Sequence, residues 1–305
     1  MEGVGDRAFR KAMAAMGGFD EAVREFLRVP RNPHIPSLAQ GYIHDEMAPF
    51  RLAAQIMGSE PGLMAEMAQA LENRGAPRID LNCGCPSNTV TGRGAGSSLL
   101  KEPRHLYEIA KAMVQAVKIP VTLKMRSGYE DISLFHDNLK AAEESGVEYI
   151  TLHPRTKVDG YGPPARWDLI AEAKSILKIP LVGNGDILNV ESALKMLKET
   201  QCDALMIGRG SVINPYIFHE IKAHFSNKKY MSQFDLETYI KVFMETYPEE
   251  NPVKSKVNKL KQLLGFLFKK NTALQGMRME ILTYQATTPE SLLAFALPKL
   301  QENFS

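Results

Sequence analysis

Short apolar segments alternate with amphipathic helical segments along most of the chain before residue 217, and this alternation constrains the fold more than any other feature. Seven apolar segments have the length and composition of β-strands. They are residues 24–29, 52–57, 78–83, 121–125, 149–153, 181–184 and 204–208. Helical patterns lie between most of them, as in residues 106–117, 132–145, 169–177 and 190–198. Apolar strands that alternate with helices predict a parallel sheet covered by helices.

The number of strands favours a (β/α)8 barrel of the TIM type over an open sheet. Seven strands are visible, and the missing one should be the first. The chain opens with Met1-Glu2-Gly3-Val4, and a helical pattern follows over residues 6–16. We therefore expect the sequence to start at the end of strand one, as a truncated chain or a misplaced start codon would produce.

The strand pattern stops in the last third of the chain. Residues 231–303 have a helical pattern that is interrupted near residues 247–252 and 287–289. We therefore predict two domains, a catalytic barrel over residues 1–226 and a small helical domain over residues 227–305.

The helical region carries the surplus of positive charge. From Asn227 onward there are 11 lysines and arginines against 8 acidic residues, which leaves 26 against 27 for the rest of the chain. Six lysines and no acidic residue lie between Lys254 and Lys270. This segment is either a surface that contacts phosphate groups or a solvated helical face, and charge alone leaves both interpretations open.

The bulk composition argues against several classes of protein. No apolar run reaches the roughly 18 to 20 residues of a membrane span, and no secretory signal opens the chain. Three cysteines in 305 residues are too few for a disulfide framework, so we expect a cytoplasmic protein. A net charge of +2 is too small to indicate nucleic-acid binding by itself.

Polar residues follow the predicted strands at their C-terminal ends, which is where the active site of a (β/α)8 barrel lies. Six consecutive strands, the third to the eighth, end in this way. In chain order the strand ends carry Gln55, Asn82 with Cys85, Lys124 with Arg126, His153 with Arg155, Asn184 with Asp186, and Arg209. Six in succession are hard to explain by chance, so we predict that they form one site.

The last two strand ends predict a phosphate site. Loops after strands seven and eight of such barrels commonly bind phosphate, because glycines let backbone N–H groups approach an anion. Gly183, Gly185, Gly208 and Gly210 supply that backbone, and Arg209 adds a cation with bidentate geometry. Tight turns would explain the glycines but not the arginine beside them.

Two basic residues at strand ends leave alternatives open. Lys124 ends an apolar strand, so its charge needs an anionic partner in the mouth of the barrel. That partner is either a reduced flavin or a carboxylate such as Asp80 or Asp186. His153 either bonds a flavin or a phosphate or caps its own loop.

The segment Asn82-Cys83-Gly84-Cys85-Pro86 places two thiols at the end of strand four. A zinc site would need further ligands, and Cys202 lies far along the repeat pattern. A Cys-x-Cys disulfide is strained and unusual in a cytosolic enzyme. Cys85 directly precedes a proline and a glycine-rich loop, so it is the better candidate to face a ligand, with Cys83 as a packing residue.

Taken together, these motifs resemble the tRNA-dihydrouridine synthase family. The segments that carry the resemblance occur in family order and are Met1-Glu2-Gly3-Val4, Gln55, Asp80-Leu81-Asn82-Cys83-Gly84-Cys85-Pro86, Lys124-Met125-Arg126-Ser127-Gly128, His153-Pro154-Arg155-Thr156, Gly183-Asn184-Gly185-Asp186 and Met206-Ile207-Gly208-Arg209-Gly210. The Cys-Gly-Cys form and the loop Thr156-Lys157-Val158-Asp159-Gly160-Tyr161 resemble most the C-type bacterial branch, which is associated with uridine 16 of the D-loop.

The resemblance implies an FMN-dependent oxidoreductase that uses NADPH, or NADH, to reduce a uridine of tRNA to 5,6-dihydrouridine. Hydride would pass from the flavin to uracil C6, and a proton would reach C5 from the opposite face. Cys85 would donate that proton, since a thiol with a pKa of about 8.5 is mostly protonated at neutral pH.

The same resemblance assigns site residues by position. The cofactor-binding residues would be Met1, Gln55, Asn82, Lys124, His153, Asn184, Gly185, Asp186, Gly208 and Arg209. Candidates for contact with tRNA are Arg126, Arg155, Lys254, Lys256, Lys259 and Lys261. Neither a metal ion nor an obligatory protein partner is implied, and a monomer suffices.

Two other functions fit the sequence. An FMN barrel could act on a free pyrimidine, as dihydroorotate dehydrogenases do, although a small substrate needs no lysine-rich tail. A non-catalytic tRNA-binding protein could also retain the fold, which the missing first strand makes conceivable.

Overall fold

The computed structural model describes residues 4–92, 94–226, 235–248 and 250–304. The chain divides into two compact units. The sheet unit comprises Asp20–Ile187 and Glu191–Ile207, and the helical unit comprises the other described residues. Two parts of the sequence predictions, the cofactor candidate Met1 and residues 227–234 at the start of the helical tail, lie outside the described residues.

The described strands and helices follow the predicted alternation. The strands are β1 (Glu21–Val23), β2 (Leu27–Arg28), β3 (Arg51–Met57), β4 (Ile79–Cys83), β5 (Val121–Gly128), β6 (Ile150–Thr156), β7 (Leu181–Asn184) and β8 (Ala204–Met206). The helices are α1 (Arg7–Met16), α2 (Ile35–Gln40), α3 (Pro61–Glu72), α4 (Asn88–Thr91), α5 (Pro103–Ala116), α6 (Phe135–Glu144), α7 (Trp167–Ile176), α8 (Val190–Thr200), α9 (Arg209–Ile213), α10 (Ile217–Ser226), α11 (Leu236–Thr246), α12 (Val253–Leu267), α13 (Thr272–Thr283) and α14 (Pro289–Asn303). A 3-10 helix, Gly96–Lys101, precedes α5.

The strands of the sheet unit pair in parallel and in chain order. The sequence of neighbours is β1-β3-β4-β5-β6-β7-β8, with β2 also paired to β3. Parallel strands in sequential order, with a helix after each of β2 to β8, form the wall of a (β/α) barrel. The predicted fold class is confirmed, and the carboxyl ends of β3 to β8 lie along one edge of the sheet.

The second predicted strand is not continuous. The sequence predicts one strand over residues 24–29, whereas the structure has two short strands that both pair with β3. Val23 lies opposite Ala53, and Leu27 lies opposite Ile56. From Val23 to Leu27 the segment of β1 and β2 advances four residues, while the paired residues of β3, Ala53 to Ile56, advance three. The extra residue in the first segment is a β-bulge. The prediction of an unbroken strand is wrong because it did not allow for this extra residue.

Helices α3 and α5 pack side by side over the sheet and fix the position of β3 and β4. Their shared face consists of apolar side chains that are completely buried, such as Met64, Met67 and Leu71 of α3 and Leu106 and Ile109 of α5. Complete burial of one large apolar side chain contributes about 1.5–3 kcal/mol. The strand ends of the site therefore rest on a rigid layer.

The helical unit contains α1, α9, α10 and the four C-terminal helices α11 to α14. Both predicted interruptions are present, between α11 and α12 and between α13 and α14. A third interruption at residues 268–271 was not predicted. Asn271 directly precedes α13 as its N-cap residue, and its side chain accepts a hydrogen bond from the backbone N–H of Leu274 (3.0 Å). An asparagine before a helix is a start signal that could have revealed this break.

The two-domain division predicted at residues 226 and 227 stays a prediction. In the compact units, α1, α9 and α10 group with the C-terminal helices. Of the described helices, none combines the length and apolar character that a membrane crossing requires.

Candidate active site

Three neighbouring strands bring the predicted site residues together, although Lys124 and His153 lie within β5 and β6 and not at their ends, because these strands extend to Gly128 and Thr156. In the register of the sheet, Asn82 of β4 lies opposite Lys124 of β5, and Arg126 of β5 lies opposite His153 of β6. Residues two apart on a strand project from the same face, so Lys124 and Arg126 share one face. These four predicted site residues are therefore neighbours at one edge of the sheet.

A chain of hydrogen bonds connects this edge with the cysteine loop. Gln55 donates to Asp80 (Nε2 to Oδ2, 2.7 Å), and Asn82 donates to Gln55 (Nδ2 to Oε1, 2.8 Å). The oxygen of Asn82 accepts the backbone N–H groups of Gly84 and Cys85, each at 3.0 Å. All three side chains are buried. Buried polar groups that are fully paired in this way hold one defined geometry.

Asp80 is anchored on its other side. Its Oδ1 accepts a hydrogen bond from Thr122 Oγ1 (2.6 Å) and lies 3.4 Å from Nη1 of Arg78. Arg78 also pairs with Glu21 and lies over the ring of Tyr149, with its guanidinium carbon 5.0 Å from the ring centroid. The charge of this completely buried carboxylate is thus compensated, as a buried charge must be.

Cys85 is held by both of its backbone polar groups. Its N–H donates to Asn82, and its carbonyl oxygen accepts from Ser97 through the backbone N (3.2 Å) and Oγ (2.9 Å). Its exposure is 9%, whereas Cys83 is completely buried. Burial raises the pKa of the Cys83 thiol, and Asp80 adds to this effect. All three cysteines are free thiols, and these surroundings favour Cys85 over Cys83 as the reactive one.

Lys124 is the basic residue of β5 for which the sequence predicts an anionic partner. Neither a hydrogen bond nor an ion pair joins its ammonium to any residue that the structure describes, and the two carboxylates considered as partners, Asp80 and Asp186, pair with Arg78 and Arg155 instead. Burial lowers the pKa of Lys124 from 10.5 to about 8, with Asp80 opposing the shift and a nearby arginine adding to it.

His153 is buried, and its Nδ1 has no hydrogen-bond partner among the described residues. Burial lowers the pKa of His153 to about 2, and the charges of Lys124, Arg126 and Arg155 act in the same direction. The imidazole is therefore neutral at any working pH. Because Nδ1 does not bond to the described backbone around it, this nitrogen does not cap the loop, and its contact with a flavin or a phosphate stays a prediction.

Arg126 ties together the loops around the site. Its guanidinium donates to the carbonyl oxygens of Gly84 (3.0 Å), Thr156 (2.6 Å) and Gly160 (2.9 Å), and it lies 5.3 Å from the ring centroid of Tyr161. The cysteine loop and the loop after β6 are thereby joined. A contact of Arg126 with tRNA would have to be made in addition to these bonds.

Arg155 and Asp186 pair with each other. Nη1 and Nη2 of Arg155 donate to Oδ1 and Oδ2 of Asp186 (3.1 and 2.6 Å), and Nε donates to the carbonyl oxygen of Pro163 (2.6 Å). Asp186 also accepts the backbone N–H of Ala165 (2.9 Å) and has a left-handed φ of +56°. Both residues stabilise the loops after β6 and β7, and direct contacts of either with a cofactor or tRNA stay predictions.

Gly183 in β7 and Gly185 directly after β7 are glycines for different physical reasons. A Cβ atom on Gly183 would lie 2.7 Å from Met196 Sδ and 2.9 Å from Cys202 Sγ, so close packing accounts for this glycine. Gly185 has a φ of +121°, a conformation that other residues rarely adopt. Gly185 therefore allows the turn after β7, which is the place where the sequence predicts a phosphate.

The rest of the predicted phosphate site is divided between the two units. Asn184 ends β7 and donates through Nδ2 to the carbonyl oxygen of Met206 in β8 (2.7 Å). Gly208 and Arg209 belong to the helical unit, where Arg209 is the first residue of α9 and the oxygen of Gly208 accepts from Ser211 Oγ (2.8 Å).

The four lysines predicted to contact tRNA lie on α12 in unlike surroundings. Lys254 is exposed and Lys256 is half-buried. Lys259 forms an ion pair with Asp6, and Lys261 donates to two carbonyl oxygens at the end of α13 (2.9 and 2.8 Å). Helical spacing also places Lys254 and Lys261 on one face and the other two on another. The four lysines do not form one continuous cationic face.

Sequence reasoning did not assign a role to two buried residues of the site, Thr122 and Ser97, and it considered Asp80 only as a possible partner for Lys124. Asp80 and Thr122 alternate with Asn82 and Lys124, so strand periodicity could have placed them on the same face. Ser97 lies in the 3-10 helix, and a glycine-rich segment gives no signal for its contact with Cys85.

The fold and the site together define a class of enzyme. A parallel (β/α) barrel wall whose strand ends gather a thiol, a lysine and a histidine is an α/β-barrel enzyme with its chemistry at the carboxyl edge of the sheet. The family model described as "Dihydrouridine synthase (Dus)" matches residues 1–292. The chain therefore belongs to the dihydrouridine synthase family. The family and the enzyme class that the resemblance of the motifs implied are confirmed.

Individual relatives agree with the family. The tRNA-dihydrouridine(16) synthase of Shewanella oneidensis is 39% identical over 232 residues, 73% of each chain. The protein of the same name from Pseudomonas syringae pv. tomato is 36% identical over 281 residues, 88% of each chain. That of Neisseria meningitidis serogroup B is 33% identical over 290 residues, 91% of this chain and 86% of the relative.

Solved structures show the same fold at low identity. A variant of NCR from Zymomonas mobilis has a TM-score of 0.54 and 16% identity, over 80% of this chain and 89% of that chain. A 2-naphthoyl-CoA reductase complex has a TM-score of 0.54 and 13% identity, over 73% of this chain. The chain spans 47% of the length of that second structure.

Proposed function

We propose that the protein is a flavin-dependent enzyme that reduces a uridine of tRNA to 5,6-dihydrouridine. In this proposal FMN is the flavin, NADPH or NADH is the reductant, and the target is uridine 16. The family match and the relatives named for position 16 support it. The observation that carries it is the placement of the Cys85 loop beside Lys124, whose ammonium has no hydrogen-bond or ion-pair partner among the described residues, and beside the neutral imidazole of His153, whose Nδ1 has no hydrogen-bond partner among them.

The residues at the strand ends fit a flavin. The pyrimidine edge of a flavin offers hydrogen-bonding groups and becomes negative on reduction, which matches an uncompensated ammonium at Lys124 and an unpaired Nδ1 at His153. The amides of Gln55 and Asn82 would hold the ring. When bound, the flavin would supply the hydride for the uracil ring.

The phosphate of the cofactor would contact the glycine turn after β7 and the start of α9. We assign this role to Asn184, Gly185, Gly208 and Arg209, which follows the general use of these loops in barrels. Met1 and Asp186 stay predicted cofactor contacts, with Asp186 acting through its pair with Arg155.

Cys85 would donate the proton to uracil C5. Its loop is fixed at the N–H and at the carbonyl oxygen, so the thiol keeps one position relative to the strand ends. A positioned acid of this kind typically contributes about 10²–10⁴-fold to the rate. The target base has to leave its stack to reach the site, as bases do in other enzymes that act on them.

Phosphates of the tRNA would be held mainly by the helical unit. We propose Lys254 and Lys256 as direct contacts, and Lys259 and Lys261 as contacts that also keep their bonds within the protein. Such contacts weaken as salt rises. We further propose that the protein works as a monomer in the cytoplasm, and the three free thiols support that location.

Dihydrouridine mapping in a strain that lacks the gene tests the proposal. The wild type should restore dihydrouridine at position 16 of tRNA, and Cys85→Ala should not. Cys202→Ala is the matched control, because Cys202 is a buried thiol that packs against Gly183, and it should restore the modification. Full restoration by Cys85→Ala would contradict the assignment of the acid, and restoration at another position would contradict uridine 16.

Two measurements on the purified protein distinguish the proposed function from the two alternatives. A yellow protein that releases FMN supports the proposal, whereas a colourless protein that binds tRNA favours a non-catalytic role. Reduction of free uracil or orotate at a rate equal to that with tRNA would favour an enzyme of free pyrimidines.

A further inference from the structure

We propose that Asp80 is a positioning residue that orients the Cys85 loop through the amides of Gln55 and Asn82. The inference rests on the proposed function only in naming Cys85 as the proton donor. Its geometry consists of two hydrogen bonds in series, from Gln55 to Asp80 (2.7 Å) and from Asn82 to Gln55 (2.8 Å), and of two that the Asn82 oxygen accepts from the backbone N–H groups of Gly84 and Cys85 (3.0 Å each).

The direction of every bond in this chain follows from Asp80. An ionised carboxylate only accepts hydrogen bonds, whereas an amide has one accepting and one donating end. Gln55 must therefore turn its NH2 group to Asp80 and its oxygen to Asn82. Asn82 must then donate to Gln55, which leaves its oxygen for the N–H groups of Gly84 and Cys85.

The carboxylate cannot easily change its state or its position. It is completely buried, it lies 3.4 Å from the guanidinium of Arg78, and it accepts from Thr122 at 2.6 Å. Its Oδ1 is used by these two residues, so Oδ2 is the oxygen that faces Gln55. Thr122 and Arg78 thus hold the Asp80 carboxylate, which orients the two amides, in a position that does not depend on the cysteine loop.

Asp80→Asn should reverse the chain. Thr122 and Arg78 keep an oxygen at the Oδ1 position, so the new NH2 group lies at the Oδ2 position and faces the NH2 group of Gln55. Gln55 must then turn over, and Asn82 must follow. The NH2 group of Asn82 would face the N–H of Cys85, and two donors cannot bond to each other.

The rate at which iodoacetamide alkylates Cys85 in the full chain measures this effect. Peptide mass spectrometry reads the rate, with Cys83 and Cys202 as internal references. Loss of the bond to the N–H of Cys85 should raise the rate about three- to tenfold, which is the range for one hydrogen bond. Thr122→Val is the control, because it removes a bond to the same carboxylate on the side away from Gln55, and it should stay within about twofold.

A double variant distinguishes orientation from general loosening. In Gln55→Glu with Asp80→Asn, the new amide donates to the new carboxylate, which again accepts from Asn82. Every donor then faces an acceptor, and Cys85 should react at the wild-type rate within about twofold. A double variant that is as fast as Asp80→Asn, or that does not fold, would overturn the inference.

The deciding outcomes do not depend on each other. If Asp80→Asn does not fold, the double variant alone decides, since a folded and slow-reacting double variant supports the chain of bonds. If Asp80→Asn folds and Cys85 reacts at the wild-type rate, the inference is overturned. If the wild-type protein forms no dihydrouridine, the proposed function fails while the alkylation result stands.

Discussion

We expect Lys124 to destabilise the sheet unit, because its ammonium has no ion-pair partner among the described residues. A variant that lacks this charge should therefore be more stable than the wild type. Replacement by methionine keeps most of the side-chain volume and removes the ammonium. Burial lowers the pKa of Lys124 from 10.5 to about 8. Each pH unit corresponds to about 1.4 kcal/mol, so Lys124→Met should stabilise the unit by about 3 kcal/mol at pH 7.

The pH dependence of this gain gives a second check. Below pH 8 Lys124 is protonated in both the folded and the unfolded chain, and the full penalty is present. Between pH 8 and 10.5 the unfolded chain binds more protons than the folded one, so the stability of the wild type rises with pH. Methionine does not titrate. The advantage of Lys124→Met should therefore fall from about 3 kcal/mol to near zero as the pH rises through this window.

Urea unfolding at pH 7 and pH 10.5, without added flavin, measures both effects. The fluorescence of Trp167, the one tryptophan of the chain, reports on the sheet unit, because its ring donates to the carbonyl oxygen of Gly185 (3.1 Å). Lys140→Met, at an exposed site on α6, is the control and should change stability by less than about 0.5 kcal/mol. A Lys124→Met variant that is less stable than the wild type at pH 7 would refute the reasoning, as would a gain that does not shrink at pH 10.5.

Three further substitutions test other parts of the structure. Gly183→Ala should lower the free energy of unfolding by about 1–2 kcal/mol, because the new methyl group would press on two sulfur atoms. Gly62→Ala is the control: its methyl group meets nothing within 4 Å, so thermal unfolding should show a change of less than about 0.5 kcal/mol. Arg155→Met should cost about 2 kcal/mol in urea unfolding, because it leaves the partly exposed carboxylate of Asp186 without its partner. Lys254→Gln should weaken tRNA binding and reduce the slope of log Kd against log salt by about one, and an unchanged slope would exclude a phosphate contact there.

The fold and the main site residues could be predicted because both follow from short-range patterns. Alternating apolar strands and helices specify a parallel sheet, and a parallel sheet places all its carboxyl strand ends on one edge. A residue at the end of a predicted strand, such as Lys124 or His153, is therefore assigned to the site by its position along one strand, even though β5 and β6 extend beyond both residues. No contact between distant residues has to be known for this step.

Partners across the sheet could not be predicted in the same way. Arg155 and Asp186 are 31 residues apart, and nothing in either local sequence says that their side chains meet. The same holds for Lys259 and Asp6, which an ion pair joins across most of the chain. A strand-end position or a lysine-rich helix predicts that a charge is present, but only the three-dimensional structure shows whether the protein itself neutralises it.

That distinction separates the two arginines of the site from Lys124. Arg126 and Arg155 donate their hydrogen bonds to loop carbonyl oxygens and to a carboxylate, so they hold the loops around the site in place. Lys124 has no such partner among the described residues, and its lowered pKa is the cost of that arrangement, whereas the neutral imidazole of His153 carries no charge to compensate. An anionic group beside Lys124 would raise its pKa and recover part of that cost. The same feature that destabilises the fold therefore favours an anionic ligand beside Lys124, which agrees with the proposed role of this residue in binding the cofactor.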